Sequence, residues 1–210
     1  MTTSSLTIDQ HIHSEACLAR FANTDGMLGV LKSDEEEPSL PISMDAEILR
    51  TTQIWGDEAA WVSLLSSIET DFVAEVAACL ASGTVTSHLA ITAYLSMWEI
   101  RSRLNADPPA GRIGYLDAVH EHDATLVALE AVRWGVVRAS GRSRFICSDR
   151  PNGMAYLPIS REHALVGNQP DGMASEASVR LWNREAAENG LLLIFGHPDD
   201  VEAFSKNRSM

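Results

Sequence analysis

Asp149 stands where a carboxylate is unusual. In residues 144–153, RFICSDRPNG, the apolar Phe145, Ile146 and Cys147 run straight into Ser148, Asp149, Arg150 and Pro151. Proline disfavours helix for the residue before it and removes a backbone donor, so a strand here has to end at about Arg150. Strand ends carry side chains to the rim of a core, where a carboxylate can orient a histidine, hold a water or meet substrate. An Asx turn at the strand exit would use the same residue for structure alone. Between Arg133 and Arg150 there are five arginines against this one acid, a local +4 in a chain of net charge −13. Guanidinium forks suit phosphate and carboxylate groups, so the chemical reading of the island is an anionic substrate, and the structural reading is a hairpin of solvated arginines. Arg150, held beside the strand end by Pro151, is the arginine expected to recognise phosphate, with Ser148 beside it; Arg142 on the turn is expected to do less.

The second group is a histidine pair. His11 and His13 in HIH would share a face only in extended chain, where side chains repeat every second residue. His120 and His122 have the same spacing in a helical stretch, where they diverge. No third ligand has telling spacing, so a metal centre is not expected, no cofactor is indicated, and His11 is read as a general acid/base. Glu69 falls within the apolar arc of Leu65, Phe72, Val73 and Val76 on a helical wheel, with Glu75 at the arc's edge. A carboxylate facing a core needs a partner or a raised pKa. Arg101, which continues the Tyr94, Met97 and Trp98 face of the next helix, is the expected cation for Glu69; the structural alternative is an ion pair that only braces two helices.

These side chains need elements to carry them. Residues 57–83 have helical spacing from Asp57 to a terminating Gly83, residues from Thr86 or Ser87 onward form a second helix apolar on most faces, and a third runs from Tyr115 to about Arg133. The texture then changes. WGVVRAS and SRFICS read as a hairpin around a Ser-Gly turn, MAYLPIS and HALVG as two short strands, residues 174–190 as a helix closed by Gly190, and LLLIF as a buried strand. Residues 33–41, SDEEEPSLP, read as an exposed acidic loop. The class is therefore α+β: an N-terminal helical bundle packed on a small mixed β-sheet, in one domain spanning 1–210, with the helical part at about 57–133, the strand-rich part at about 134–210 and the N-terminal segment 1–42 packing on it.

At 210 residues, 45% hydrophobic and 21% charged, the chain can bury a sizeable core. The net charge argues against nonspecific coating of nucleic acid, which depends on neutralising phosphates. Cys17, Cys79 and Cys147 are odd in number and set among apolar or small residues, as buried free thiols are. With neither a membrane-length apolar run nor a signal-type N-terminus, no membrane association and a cytoplasmic location are expected.

Taken in order, QHIHSEACLARFA with His11, Leu18 and Phe21, SSIETDF with Glu69, EIRSR with Arg101, WGVVRASGRSRFICSDRP with Trp134 and Asp149, LPIS at residues 157–160, and LWNREAAENGLLLIF with Asn183 resemble an uncharacterised microbial family, domain of unknown function 4238. The resemblance covers most of the chain. It departs at Ser14, where that family usually has proline, at Ala19, where it has a basic residue, and at Cys147, where threonine is frequent. It implies a fold and a polar constellation that adds Asn183 to the substrate contacts, and it brings no activity. The leading expectation is a hydrolase or nuclease acting on a phosphate-bearing substrate: His11 as acid/base, Asp149 orienting it or the attacking water, Glu69 as a supporting carboxylate, and Arg101 or Arg150 stabilising negative charge. The alternative is a non-catalytic module that binds a nucleotide, a nucleic acid or a partner protein, with the same residues forming a structural polar core.

Overall fold

A computed structural model describes residues 9–11, 13–52, 59–106, 115–151, 155–190 and 193–208. The chain begins with strand β1 (Asp9–His11) and one helical turn, α1 (Glu15–Leu18), continues into β2 (Met27–Lys32) and β3 (Ile42–Ser43), and reaches β4 (Arg50–Thr52) through a 3-10 turn at Glu47–Leu49. Three helices follow: α2 (Ala59–Ser82), α3 (His88–Ala106) and α4 (Tyr115–Leu129). Strands β5 (Trp134–Ala139), β6 (Cys147–Ser148), β7 (Tyr156–Pro158), β8 (His163–Gly167) and β9 (Gly172–Ala174) lead to α5 (Glu176–Asn189), β10 (Leu193–Gly196) and α6 (Pro198–Arg208).

The class is α+β, as the change of texture predicts, but the order differs from a helical bundle followed by a sheet. The strand region begins before the helices, because β2 from the N-terminal segment pairs antiparallel with β10 near the other end of the chain, Val30 opposite Phe195. That sheet has the order β3-β2-β10-β6, a second has the order β7-β8-β5-β9, and β1 pairs with β4 alone. The expected hairpin of β5 and β6 is corrected: β5 lies between β8 and the parallel β9, whereas β6 pairs with β10. Gly141 does make the turn, at φ +62°, but both flanking segments are buried and each takes its backbone partners from elsewhere. Apolar runs identify buried strands without identifying their neighbours.

The helix signals behave locally. Gly83 at φ +75° ends α2, its N–H donating to the Cys79 carbonyl at 2.8 Å, in the left-handed position that glycine takes at no steric cost. Ser175 caps α5, its Oγ accepting from Ser178 N at 3.1 Å. Glu75 turns toward the α2–α3 connection, where Thr86 donates to it through its backbone N–H and its hydroxyl, at 2.6 and 2.5 Å. Burial pushes the Glu75 carboxyl up, but these bonds and those from Ser87 and Cys79 outweigh it and leave the pKa below the ordinary value. One apolar cluster runs from Cys17, Leu18 and Phe21 through Phe72, Val76, Tyr94 and Trp98 to Cys147 and Phe195, so the N-terminal segment, α2, α3 and the β6–β10 edge share a core. Among the described residues, no helix is long and apolar enough to cross a membrane.

Candidate functional site

The Glu69–Arg101 pair expected from the helical wheels is present. Arg101 Nη1 donates to Glu69 Oε1 at 2.7 Å; the arginine is 4% exposed and the glutamate 34%, so the pair is buried at its cationic end and open at its anionic end. Arg101 reaches Glu69 because it lies one turn beyond Trp98 on the buried face of α3.

The histidine in this cluster is His13. It is fully buried just before α1, stacked on Trp98 with ring centroids 5.0 Å apart and planes 13° from parallel. Its Nδ1 bonds to the Tyr94 hydroxyl. The Ser14 N–H donates toward both groups, at 2.8 Å to Tyr94 Oη and 3.0 Å to Nδ1. Because the Ser14 N–H donates to Nδ1, we assign Nδ1 as the acceptor nitrogen of a neutral ring, with the Tyr94 hydroxyl donating to it and Nε2 carrying the proton. Burial, with Arg101 and then Arg20 nearby, drives the His13 pKa down to about 3. Tyr94 is fixed by its stack on Phe72, ring centroids 3.8 Å apart. Burial also pushes the Cys17 thiol up to about 11, which makes it a poor nucleophile. Cys79 and Cys147 are likewise buried free thiols with raised pKa values.

Three N–H groups of this cluster are left over. His13 Nε2, Trp98 Nε1 and Arg101 Nε are each buried and have no hydrogen-bond partner among the described residues. A buried donor without an acceptor costs about 1–3 kcal/mol, and native interiors rarely tolerate several together.

The strand exit arrives at the same helix. Asp149 is 4% exposed; its N–H donates to the Leu193 carbonyl at 3.0 Å, and Ser102 Oγ donates to its carbonyl oxygen at 2.7 Å. Ser102 directly follows Arg101, so β6 delivers Asp149 to the turn of α3 that holds Trp98 and Arg101. Ser148 is turned inward, its hydroxyl donating to the Arg150 carbonyl. Arg150 pairs with Glu99, also on α3, at 3.3 Å. The backbone of His11 lies opposite Arg50 in the β1–β4 pair, and its side chain lies outside the described residues. Among the described residues, no group of three or more His, Cys, Asp and Glu side chains is arranged to hold a metal.

Asn183 is placed elsewhere. Its Nδ2 donates to the Arg144 carbonyl at 2.8 Å, and its Oδ1 accepts from Ile146 N and the Tyr156 hydroxyl, both at 3.3 Å. It thereby ties α5 to the segment that enters β6. Asn183→Ala should lower stability by about 1–2 kcal/mol, the range for lost bonds to buried groups, and leave ligand affinity at the α3 cluster unchanged; urea unfolding and calorimetric titration check the two halves.

From the sequence, His13 counts only as a companion of His11 for a metal, and Tyr94 and Trp98 only as the apolar face that leads to Arg101; none is expected as a polar member of the site. The signal that could have found His13 was its position between a strand and an apolar turn, where an imidazole is buried. Comparison of the chain with protein-family models, curated proteins and solved structures finds no match.

Proposed function

We propose that the His13–Trp98–Arg101 cluster binds a phosphate-bearing ligand, such as a nucleotide or the end of a nucleic acid. The observation that carries this reading is the set of three buried N–H donors without acceptors among the described residues, one of them the Nε of a guanidinium. Phosphate oxygens supply several acceptors and a negative charge at once, and charge-assisted bonds to a guanidinium are about twice as strong as neutral ones. The Glu69 end of the ion pair, one-third exposed, is where this cluster reaches solvent. A second reading, hydrolysis of the bound ligand, rests on Asp149, whose backbone Ser102 fixes one residue from Arg101. A carboxylate there could orient a water toward a phosphoryl group that the donors hold.

The test is calorimetric titration with inorganic phosphate, mononucleotides, short RNA and short DNA. Wild type should bind at least one, and Trp98→Phe, which keeps an aromatic ring against His13 but removes the indole N–H together with part of the buried ring, should bind it about tenfold more weakly, the equivalent of about one hydrogen bond, with circular dichroism checking that the variant is folded. Phosphate release that Asp149→Asn abolishes while binding persists would support the hydrolase reading. Wild type that binds none of these probes, or a Trp98→Phe variant of unchanged affinity, refutes the site.

A further inference from the structure

The arginine island leads away from the α3 cluster. Arg142 and Arg144, on the turn between β5 and β6, line a groove of about 690 Å³ together with Arg180 and Arg184 from α5, over a floor that includes Val179 and Phe204. Three carboxylates share the lining, but two are engaged: Asp200 is held by Arg161 at 2.7 Å, and Glu176 takes Arg180 at 3.5 Å and the Arg142 N–H at 3.2 Å. Of the lining carboxylates Glu188 remains, and Arg144 also meets Glu162, outside the lining, at 3.9 Å. Among the described residues, the guanidinium groups of Arg142 and Arg184 have no hydrogen-bond or ion-pair partner. In an acidic chain, this groove is cationic at its walls and apolar at its floor.

The complementary surface lies on the same molecule. Residues 34–40 carry Asp34, Glu35, Glu36 and Glu37, and close with Leu40, which is 87% exposed. Glu35 is paired to Lys32 at 2.8 Å, while Asp34, Glu36 and Glu37 are exposed. The turn is held in place: Glu35 N donates to the Lys32 carbonyl at 3.1 Å, Ser39 N to the Val30 carbonyl at 2.9 Å, and Ser205 Oγ of α6 to the Glu36 carbonyl at 2.5 Å. A turn ordered before contact loses little entropy on docking.

The acidic turn cannot enter the groove of its own chain, because α6 stands between them. The groove takes Asp200, Ala203, Phe204 and Asn207, whereas the turn packs beside Pro198, Glu202, Ser205 and Lys206. At 100° per residue these are opposite faces of one helix. We propose that the groove is occupied by a second copy of this chain: the acidic turn of each protomer seats on Arg142, Arg144, Arg180 and Arg184 of the other, with Leu40 against the partly exposed Phe204. Since turn and groove flank one helix, a twofold axis running parallel to α6 over its exposed ridge places both turns in both grooves at once, the closed isologous arrangement most common among soluble oligomers. The like net charge of two copies acts over distances that physiological salt screens, while the contact pairs lie within the Debye length.

Sedimentation equilibrium of the full chain in physiological salt tests this. Wild type should be a dimer at micromolar concentration. A turn variant (D34K/E36K/E37K) and a groove variant (R142E/R184E) should each raise the dimer dissociation constant about tenfold or more, yet an equimolar mixture of the two should form a heterodimer, because each turn then meets a groove of opposite charge. All of these substitutions are at exposed or groove-lining positions, and circular dichroism checks that each variant is folded. A monomeric wild type overturns the proposal, as does a mixture that stays monomeric, or arginines that prove to bind an oligonucleotide in place of a second copy.

Discussion

Glu69→Gln should lower the unfolding free energy by about 2–3 kcal/mol, with the midpoint of urea unfolding falling and the slope unchanged. The reason lies in the asymmetry of the pair. Arg101 is 4% exposed and cannot recover water when its partner's charge is removed, so the substitution leaves a buried guanidinium whose Nη1 faces a neutral amide and whose Nε has no described acceptor. Breaking a fully buried ion pair by deleting one partner costs about 3–5 kcal/mol. Glu69 is one-third exposed and glutamine keeps an acceptor oxygen, which moves the expectation below that range. Arg101→Met should cost less than Glu69→Gln, since the carboxylate it frees can be hydrated. Equal stability of Glu69→Gln and wild type would show that the contact holds nothing together.

The largest pH effect should come from His13. Its folded pKa, about 3, lies below the ordinary value of 6.5 because burial and the nearby Arg101 and Arg20 oppose its charge. Between those two values the unfolded chain binds a proton at this position that the folded chain does not, so stability rises with pH. The contribution is fully present above the unfolded pKa and is lost progressively as pH falls toward the folded one. The slope approaches about 1.4 kcal/mol per pH unit, which amounts to about 2 kcal/mol between pH 7 and pH 5. His122 and His163 are also lowered, chiefly by burial, and contribute with the same sign. The measurement is therefore a comparison of wild type with His13→Phe, which keeps an aromatic ring on Trp98 and lacks the titrating group. The variant should show a pH dependence of stability shallower by that amount, whatever its absolute stability. Parallel profiles would mean that His13 is solvated in the folded protein.

Much of the local structure was legible from the residues. Gly83 and Ser175 mark helix ends through backbone and side-chain requirements that no distant contact needs to supply. Glu69 was recognisable as a core-facing carboxylate and Arg101 as its cation because both follow from helical period and from the cost of an unpaired buried charge. Pro151 ends the strand near Asp149 for the same local reason. The α+β class also follows from the change of periodicity along the chain.

Only the tertiary structure decided which elements meet. The antiparallel pairing of β2 with β10, across most of the chain length, and the assignment of β5 and β6 to different sheets depend on packing between segments whose apolar runs look alike. The same packing decided that His13 stacks on Trp98 beside Arg101, that Asn183 clasps a strand entry, and that Arg150 pairs with Glu99. It also divided the arginine island, sending Arg150 to α3 and Arg142 and Arg144 to a groove completed by Arg180 and Arg184 from another helix. Periodicity and capping are properties of neighbouring residues and can be read in order. The polar sites are assembled from side chains tens of residues apart, whose convergence is set by burial of the whole core.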